Sequence, residues 1–220
     1  MNVTARYESV KADIANAELA AGRNPGSTRL VAVSKTYPAD AVLPLLHAGH
    51  RHFGENRVQE AASKFPALRS EFPDLALHLI GPLQSNKAAD AVALFDVIET
   101  VDREKIAREL AREMDRQQKW PELYVQVNTG NEAQKAGILP DEAVAFVARC
   151  RLEHGLTISG LMCIPPVDEQ AGPHFDLLRK LAGEAGVDVI SMGMSGDYEI
   201  AVAHGATSVR VGSAIFGVRS

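Results

Sequence analysis

Short apolar runs rich in β-branched residues alternate along the chain with longer stretches whose apolar residues recur every three or four positions. The short runs are Leu30–Ser34, His52–Gly54, Leu77–Ile80, Phe95–Glu99, Leu123–Asn128, Thr157–Met162, Asp188–Ser191 and Ser208–Val211. They read as buried parallel strands, apolar on both faces. Between them lie predicted helices over about 38–48, 56–70, 84–93, 102–118, 140–152, 170–185 and 195–204, and an opening helix covers about 3–22. In 102–118, Ile106, Leu110 and Met114 mark one face and charged residues fill the others, with Asp102 a predicted N-cap. The last helix is predicted to start at Ser195, to carry Asp197 and Glu199 in its positive first turn and to stop at Gly205. Eight strand–helix alternations predict an α/β fold, a (β/α)8 TIM barrel with an extra N-terminal helix. A doubly wound open sheet is the alternative; it would usually need fewer strands, and no G-x-G-x-x-G follows a strand.

The 220 residues just fit one barrel, so a single domain over 1–220 is expected. The net charge is −5 and no basic tract appears, which argues against a dedicated nucleic-acid binder. The longest uncharged run, Gly155–Val167, is too short to cross a bilayer, so no membrane partner is expected. Arg6, Glu8, Lys11 and Asp13 stand where a signal peptide would need an apolar core, and a cytoplasmic protein is the default. Cys150 and Cys163 lack C-x-x-C spacing and read as small buried hydrophobes. No sustained apolar surface stripe is evident, which favours a monomer.

Candidate chemistry concentrates after the strands. Strand alternation puts Val31, Val33 and Lys35 on one face, the barrel interior, with Lys35 at the carboxyl-end mouth where barrel enzymes place their sites. In an apolar wall its charged form is disfavoured, and a neutral amine is what condensation with an aldehyde needs. A solvated loop lysine is the alternative. Ser191–Gly196 joins the seventh strand to a helix start, where an anion is favoured and Ser195 adds a hydroxyl; an ordinary N-cap at Ser195 is the alternative. After the eighth strand come Gly212 and Ser213, with Arg210 predicted to face the interior. Together these two loops occupy the usual phosphate site of such barrels and favour a phosphate ligand. Asn56, after the second strand, either faces a ligand or caps a helix. His78 reads as a core histidine, and Asn128 closes the fifth strand. His47, His50 and His52 approach the amino end, away from the expected site, so no metal is expected there.

The segments LVAVSKTYP, FGENRVQE, HLIGPLQSNK, GLMCIPP, SMGMSGDYE and VRVGSAIFG, in this order from residue 30 to 217, resemble the pyridoxal 5′-phosphate homeostasis protein family. The resemblance implies a barrel like the N-terminal domain of alanine racemase, with pyridoxal 5′-phosphate (PLP) held as an aldimine on Lys35. It implies phosphate contacts at Ser195 and the Gly212–Ser213 turn, Arg210 on the pyridine side and Asn56 near the cofactor. Asn128, Glu132, Lys135 and Gly137 match a family loop of less certain role. A permanently protonated arginine would donate to the ring nitrogen and weaken the ring as an electron sink. With the chain ending at Ser220, no second domain is expected to supply a further acid or base. The expected function is a non-catalytic PLP carrier delivering to apo-enzymes. A small racemase or decarboxylase at the same site is the alternative, and a phosphate-binding isomerase barrel without PLP is a third reading.

Overall fold

The computed structural model of the chain describes residues 2–217. The apolar runs pair in chain order. The strands are β1 (Arg29–Val33), β2 (His52–Glu55), β3 (Ala76–Leu79), β4 (Val97–Val101), β5 (Glu122–Val127), β6 (Ile158–Cys163), β7 (Val189–Ser191) and β8 (Ser208–Val211), and they close into one parallel barrel. Helices α1 (Val3–Ala20), α2 (Ala39–His47), α3 (Val58–Glu71), α4 (Ala88–Leu94), α5 (Glu104–Gln117), α6 (Pro140–His154), α7 (Ala171–Ala185), α8 (Tyr198–Ala203) and α9 (Ser213–Phe216) surround it. No described helix is long and apolar enough to cross a membrane.

Strand alternation sorts the side chains as the sequence predicts. Leu30, Ala32, Val209 and Val211 join the large core between strands and helices. A small inner cluster of Val97, Tyr124 and Met162 packs inside the ring. The ring closes where β1 meets β8, with Arg29 opposite Ser208 and Ala32 opposite Val211. Both cysteines are buried and free.

Four assignments differ from the sequence reading. The fourth strand starts at Val97, because Asp96 turns its carboxylate onto the Leu77 N–H (2.8 Å) and Arg69 (2.5 Å). Asp102 does not cap α5: its carboxylate pairs with the neighbouring Arg103, which takes the N-cap position, and burial pushes its pKa up. The last predicted helix shortens to α8, six residues with Asp197 at the N-cap position; the Asp197 carboxylate instead accepts from the preceding Met194 N–H at 2.6 Å. Ser195 is thereby released from the N-cap role. The segment over 84–93 divides into a 3₁₀ turn, Ser85–Lys87, and α4.

Helix α1 packs against α2 and the short α8 and α9, completing the outer ring. Its buried residues Tyr7, Val10, Ile14 and Glu18 recur at helical spacing on one face. At one end, Arg6 donates to the Ile215 carbonyl (2.6 Å) and the Phe216 carbonyl (3.1 Å). At the other, the buried Glu18 carboxylate accepts from Gly26 N (2.7 Å), Ser27 Oγ (3.1 Å) and Thr28 N (2.5 Å), ordering the turn that enters β1. Burial works to raise the Glu18 pKa, but these hydrogen bonds outweigh it and hold it below 4.5. A depressed folded-state pKa contributes stability above the unfolded value that is lost as pH falls through the folded one. Glu18→Ala, which leaves the buried Thr28 amide without its acceptor, is expected to lower unfolding free energy by roughly 1–3 kcal/mol at neutral pH. In urea titrations the gap between wild type and variant should narrow below pH 4.5.

Candidate functional site at the carboxyl mouth of the barrel

The loop after β1 is built by its neighbours. Ser34 N–H donates to the Gly54 carbonyl at 3.1 Å, continuing the ladder by one residue, and Ser34 Oγ donates to Glu55 Oε1 at 2.7 Å. Lys35 then stands in an exposed turn at the mouth, not in the apolar wall that strand alternation alone predicts. The next residue, Thr36, has φ +68°, a left-handed conformation that is costly for a β-branched side chain. Helix α3 holds that strain in place. Lys64 Nζ donates to the carbonyls of Ser34 (2.8 Å) and Tyr37 (2.9 Å), and Glu60 accepts from the Thr36 N–H. Lys64 also pairs with the buried Glu55 at 2.5 Å. Burial pushes the Glu55 carboxyl up, opposed by Lys64 and Ser34. Sequence reading missed Glu55 and Lys64. The available signal was a charged residue inside a strand, since such a residue must find a partner when buried.

On the far side of the closure, two loops meet. Gly193, φ +93°, leaves no room for a side chain: a Cβ there would lie 2.5 Å from Ala201 Cβ. Its carbonyl accepts from Arg210 N at 2.9 Å, tying the β7 loop to β8. The half-buried Ser195 Oγ accepts from Gly212 N (3.1 Å) and Ala214 N (3.2 Å). The amides of Ser195, Gly196 and Ser213 have no hydrogen-bond partner among the described residues, and the Ser213 side chain is exposed beside them. Unpartnered amides and hydroxyls gathered at one place, open to solvent, suit an anion with several acceptor oxygens. Gly212 packs on the end of β1, a Cβ there lying 3.3 Å from the Val33 carbonyl oxygen, so this cradle and Lys35 are neighbours.

Arg210 faces the interior, 3% exposed. Its Nη1 donates to Ser191 Oγ at 2.6 Å and its Nη2 to the Cys163 carbonyl at 2.8 Å, leaving other N–H groups of the fork unspent. Asn56 lies in the bend before α3. It does not cap that helix, since Arg57 holds the N-cap position, and its backbone packs on Gly81, where a Cβ would meet Asn56 O at 2.2 Å. A groove of about 920 Å³ runs from Asn56 past Gln84 to Arg103. Lys35, Ser195, Arg210, Gly212 and Ser213 therefore converge at the closure, and Asn56 borders the mouth one strand over.

Other sequence candidates fall elsewhere. Asn128 is spent inside its own loop, donating to the Glu132 carbonyl (2.8 Å) and accepting from Glu132 N (3.2 Å), while Lys135 pairs with Glu132 at 2.6 Å. His50 and His52 line a cavity of about 750 Å³ at the amino end, remote from the mouth. His78 is a core residue, fully buried.

The family described as "Alanine racemase, N-terminal domain" matches residues 9–220. A pyridoxal phosphate homeostasis protein of Pseudomonas aeruginosa is 44% identical over 96% of this chain and 93% of its own. The structure of PipY from Synechococcus elongatus with PLP bound superposes with TM-score 0.80 and 39% identity, over 93% of this chain and all of that one. An alanine racemase from Clostridium difficile shares the fold alone, with TM-score 0.73, 16% identity and 99% of this chain against 57% of the racemase. Conserved architecture and identity across nearly the whole length place the conclusion beyond the shared barrel: this chain belongs to the pyridoxal phosphate homeostasis protein family.

Proposed function

We propose that this chain is a PLP-binding protein of intracellular PLP homeostasis, a single barrel domain that holds the cofactor on Lys35 and delivers it to apo-enzymes. One observation carries the reading: an exposed lysine stands beside a cradle of unpartnered amides across the β1–β8 closure. PLP supplies an aldehyde on a pyridine ring that also bears a phosphate ester. Lys35 Nζ would hold the cofactor through that aldehyde. Ser195, Gly212 and Ser213 would hold the phosphate, Arg210 would serve the ring nitrogen as a donor, and Asn56 would border the ring.

The residues favour holding over turnover. Arginine stays protonated, so a ring nitrogen facing Arg210 remains an acceptor and the ring a weak electron sink. The four tyrosine hydroxyls are engaged elsewhere: Tyr7 with His50 (3.4 Å), Tyr37 on the Gly217 carbonyl (2.7 Å), Tyr124 on Glu122 (2.9 Å) and Tyr198 on Asp13 (3.0 Å). Burial pushes both thiols up to about 12. The relatives aligned over nearly their whole length carry homeostasis names, whereas the alignment spans 57% of the racemase chain. Lys35 is exposed, so a cofactor held there would be open to an amine of a recipient enzyme. The same reading takes the protein to be a cytoplasmic monomer.

The purified protein incubated with PLP should turn yellow, and borohydride should fix a phosphopyridoxyl group on Lys35, read by peptide mass mapping. Lys35→Ala should abolish the adduct; labelling of Lys87 or Lys135 instead would overturn the assignment. Ser213→Asp sets a negative charge in the cradle at an exposed position. It should weaken PLP binding by at least about tenfold, the equivalent of losing roughly 1.5 kcal/mol of charge-assisted contact, with the thermal midpoint unchanged. Equal affinity of variant and wild type in a spectrophotometric titration would place the phosphate elsewhere.

A further inference from the structure

Beneath Arg210 a chain of polar side chains runs down the inside of the barrel. Ser191 Oγ donates to Glu99 Oε2 at 2.5 Å and accepts from Arg210 Nη1 at 2.6 Å. Glu99 Oε1 lies 2.8 Å from His78 Nδ1, and His78 Nε2 lies 3.2 Å from His52 Nδ1. Glu99, His78 and Ser191 are fully buried. Arg210 Nη1 is also 3.8 Å from Glu99 Oε2, so a buried cation faces a buried anion with a hydroxyl between them.

The network fixes its own proton order. Ser191 has one hydroxyl proton; spent on Glu99, it leaves the oxygen free to accept from Arg210. Burial works to raise the Glu99 pKa, but the bonds from His78 and Ser191 and the Arg210 charge bring it below 4.5. His52, pushed down to about 4 by burial, is neutral at pH 7. Hydrogen bonds therefore converge on Glu99 from β3 and β7, and the Arg210 charge faces it from β8. Tyr124, on β5, also faces it, but its hydroxyl donates to Glu122. An unopposed guanidinium at this depth would be strongly destabilising, and with two of its groups pinned the remaining fork has a fixed orientation.

We propose that Glu99 is a positioning residue for the cofactor ring: through Ser191 it fixes the orientation of the Arg210 guanidinium and supplies its counter-charge. This rests on the PLP reading above. Its consequence is that the ring meets an oriented donor whose charge is largely offset, rather than a mobile bare cation.

The test uses full-length wild type, Glu99→Gln, Ser191→Ala and Ser191→Thr, each titrated with PLP and checked by borohydride mapping. Glu99→Gln should still label on Lys35. The pH midpoint of its visible band should move down by about half a unit or more, because an unbalanced positive charge disfavours protonation of the linking nitrogen. Ser191→Ala keeps both charges but removes the bridge, and should weaken PLP binding several-fold; Ser191→Thr, which keeps a hydroxyl, should restore it. A Glu99→Gln band midpoint equal to wild type, with only thermal stability lowered, would reduce Glu99 to a packing role and overturn the proposal. If Glu99→Gln does not fold, the Ser191 pair decides: wild-type affinity in Ser191→Ala overturns it. No adduct in the wild type itself would overturn the PLP reading, and this inference with it.

Discussion

The pairing of β1 with β8 is the constraint on which the site depends. These strands are about as far apart in sequence as the barrel allows, and their register sets Ala32 against Val211. That register, continued by one or two residues, brings the turn bearing Lys35 alongside the turn bearing Gly212 and Ser213. Neither loop makes the site alone. A parallel ring with helices outside enforces the meeting, because every strand ends at the same rim and the last can only close on the first.

The barrel spends buried charge to keep this rim ordered. Glu55 and Lys64 form an ion pair almost without solvent beneath the Lys35 turn, and Lys64 reaches on to two carbonyls of that turn. Buried pairs recover their desolvation cost only when the remaining donors and acceptors are satisfied. Lys64 meets that condition with three partners, whereas Glu55 Oε2 has no hydrogen-bond partner. The pair is thus poorly explained as a gain in stability and better explained as a clamp on a backbone that would otherwise relax from the unfavourable Thr36 conformation.

Much of this was legible beforehand, for reasons that can be named. Alternation along β8 puts Arg210 inward and its valine neighbours outward whatever the partners are, and the structure agrees. Eight apolar runs separated by helical stretches specify the ring. Local pattern fails where a residue's role is set by something distant in sequence. Ser195 looks like a helix cap, because a serine before acidic residues usually is one; instead Asp197 holds the N-cap position, and Ser195 serves a loop seventeen positions away. Asn56 resembles a cap for the same reason. Lys35 continues the strand pattern on paper, but the ladder ends with Ser34 and the chain turns outward. Glu99 sits in an ordinary strand, and only the assembled ring shows which donors surround it.

The bond from the Gly212 and Ala214 amides to the Ser195 hydroxyl has a kinetic corollary. Ser195 Oγ already bridges the two amides within the chain, so the loops after β7 and β8 are tied to each other without any added group. On the proposal that Lys35 carries PLP, a rim already tied together in this way would leave one carbon–nitrogen bond as the step that governs exchange, which suits a reservoir that must fill and drain as demand changes.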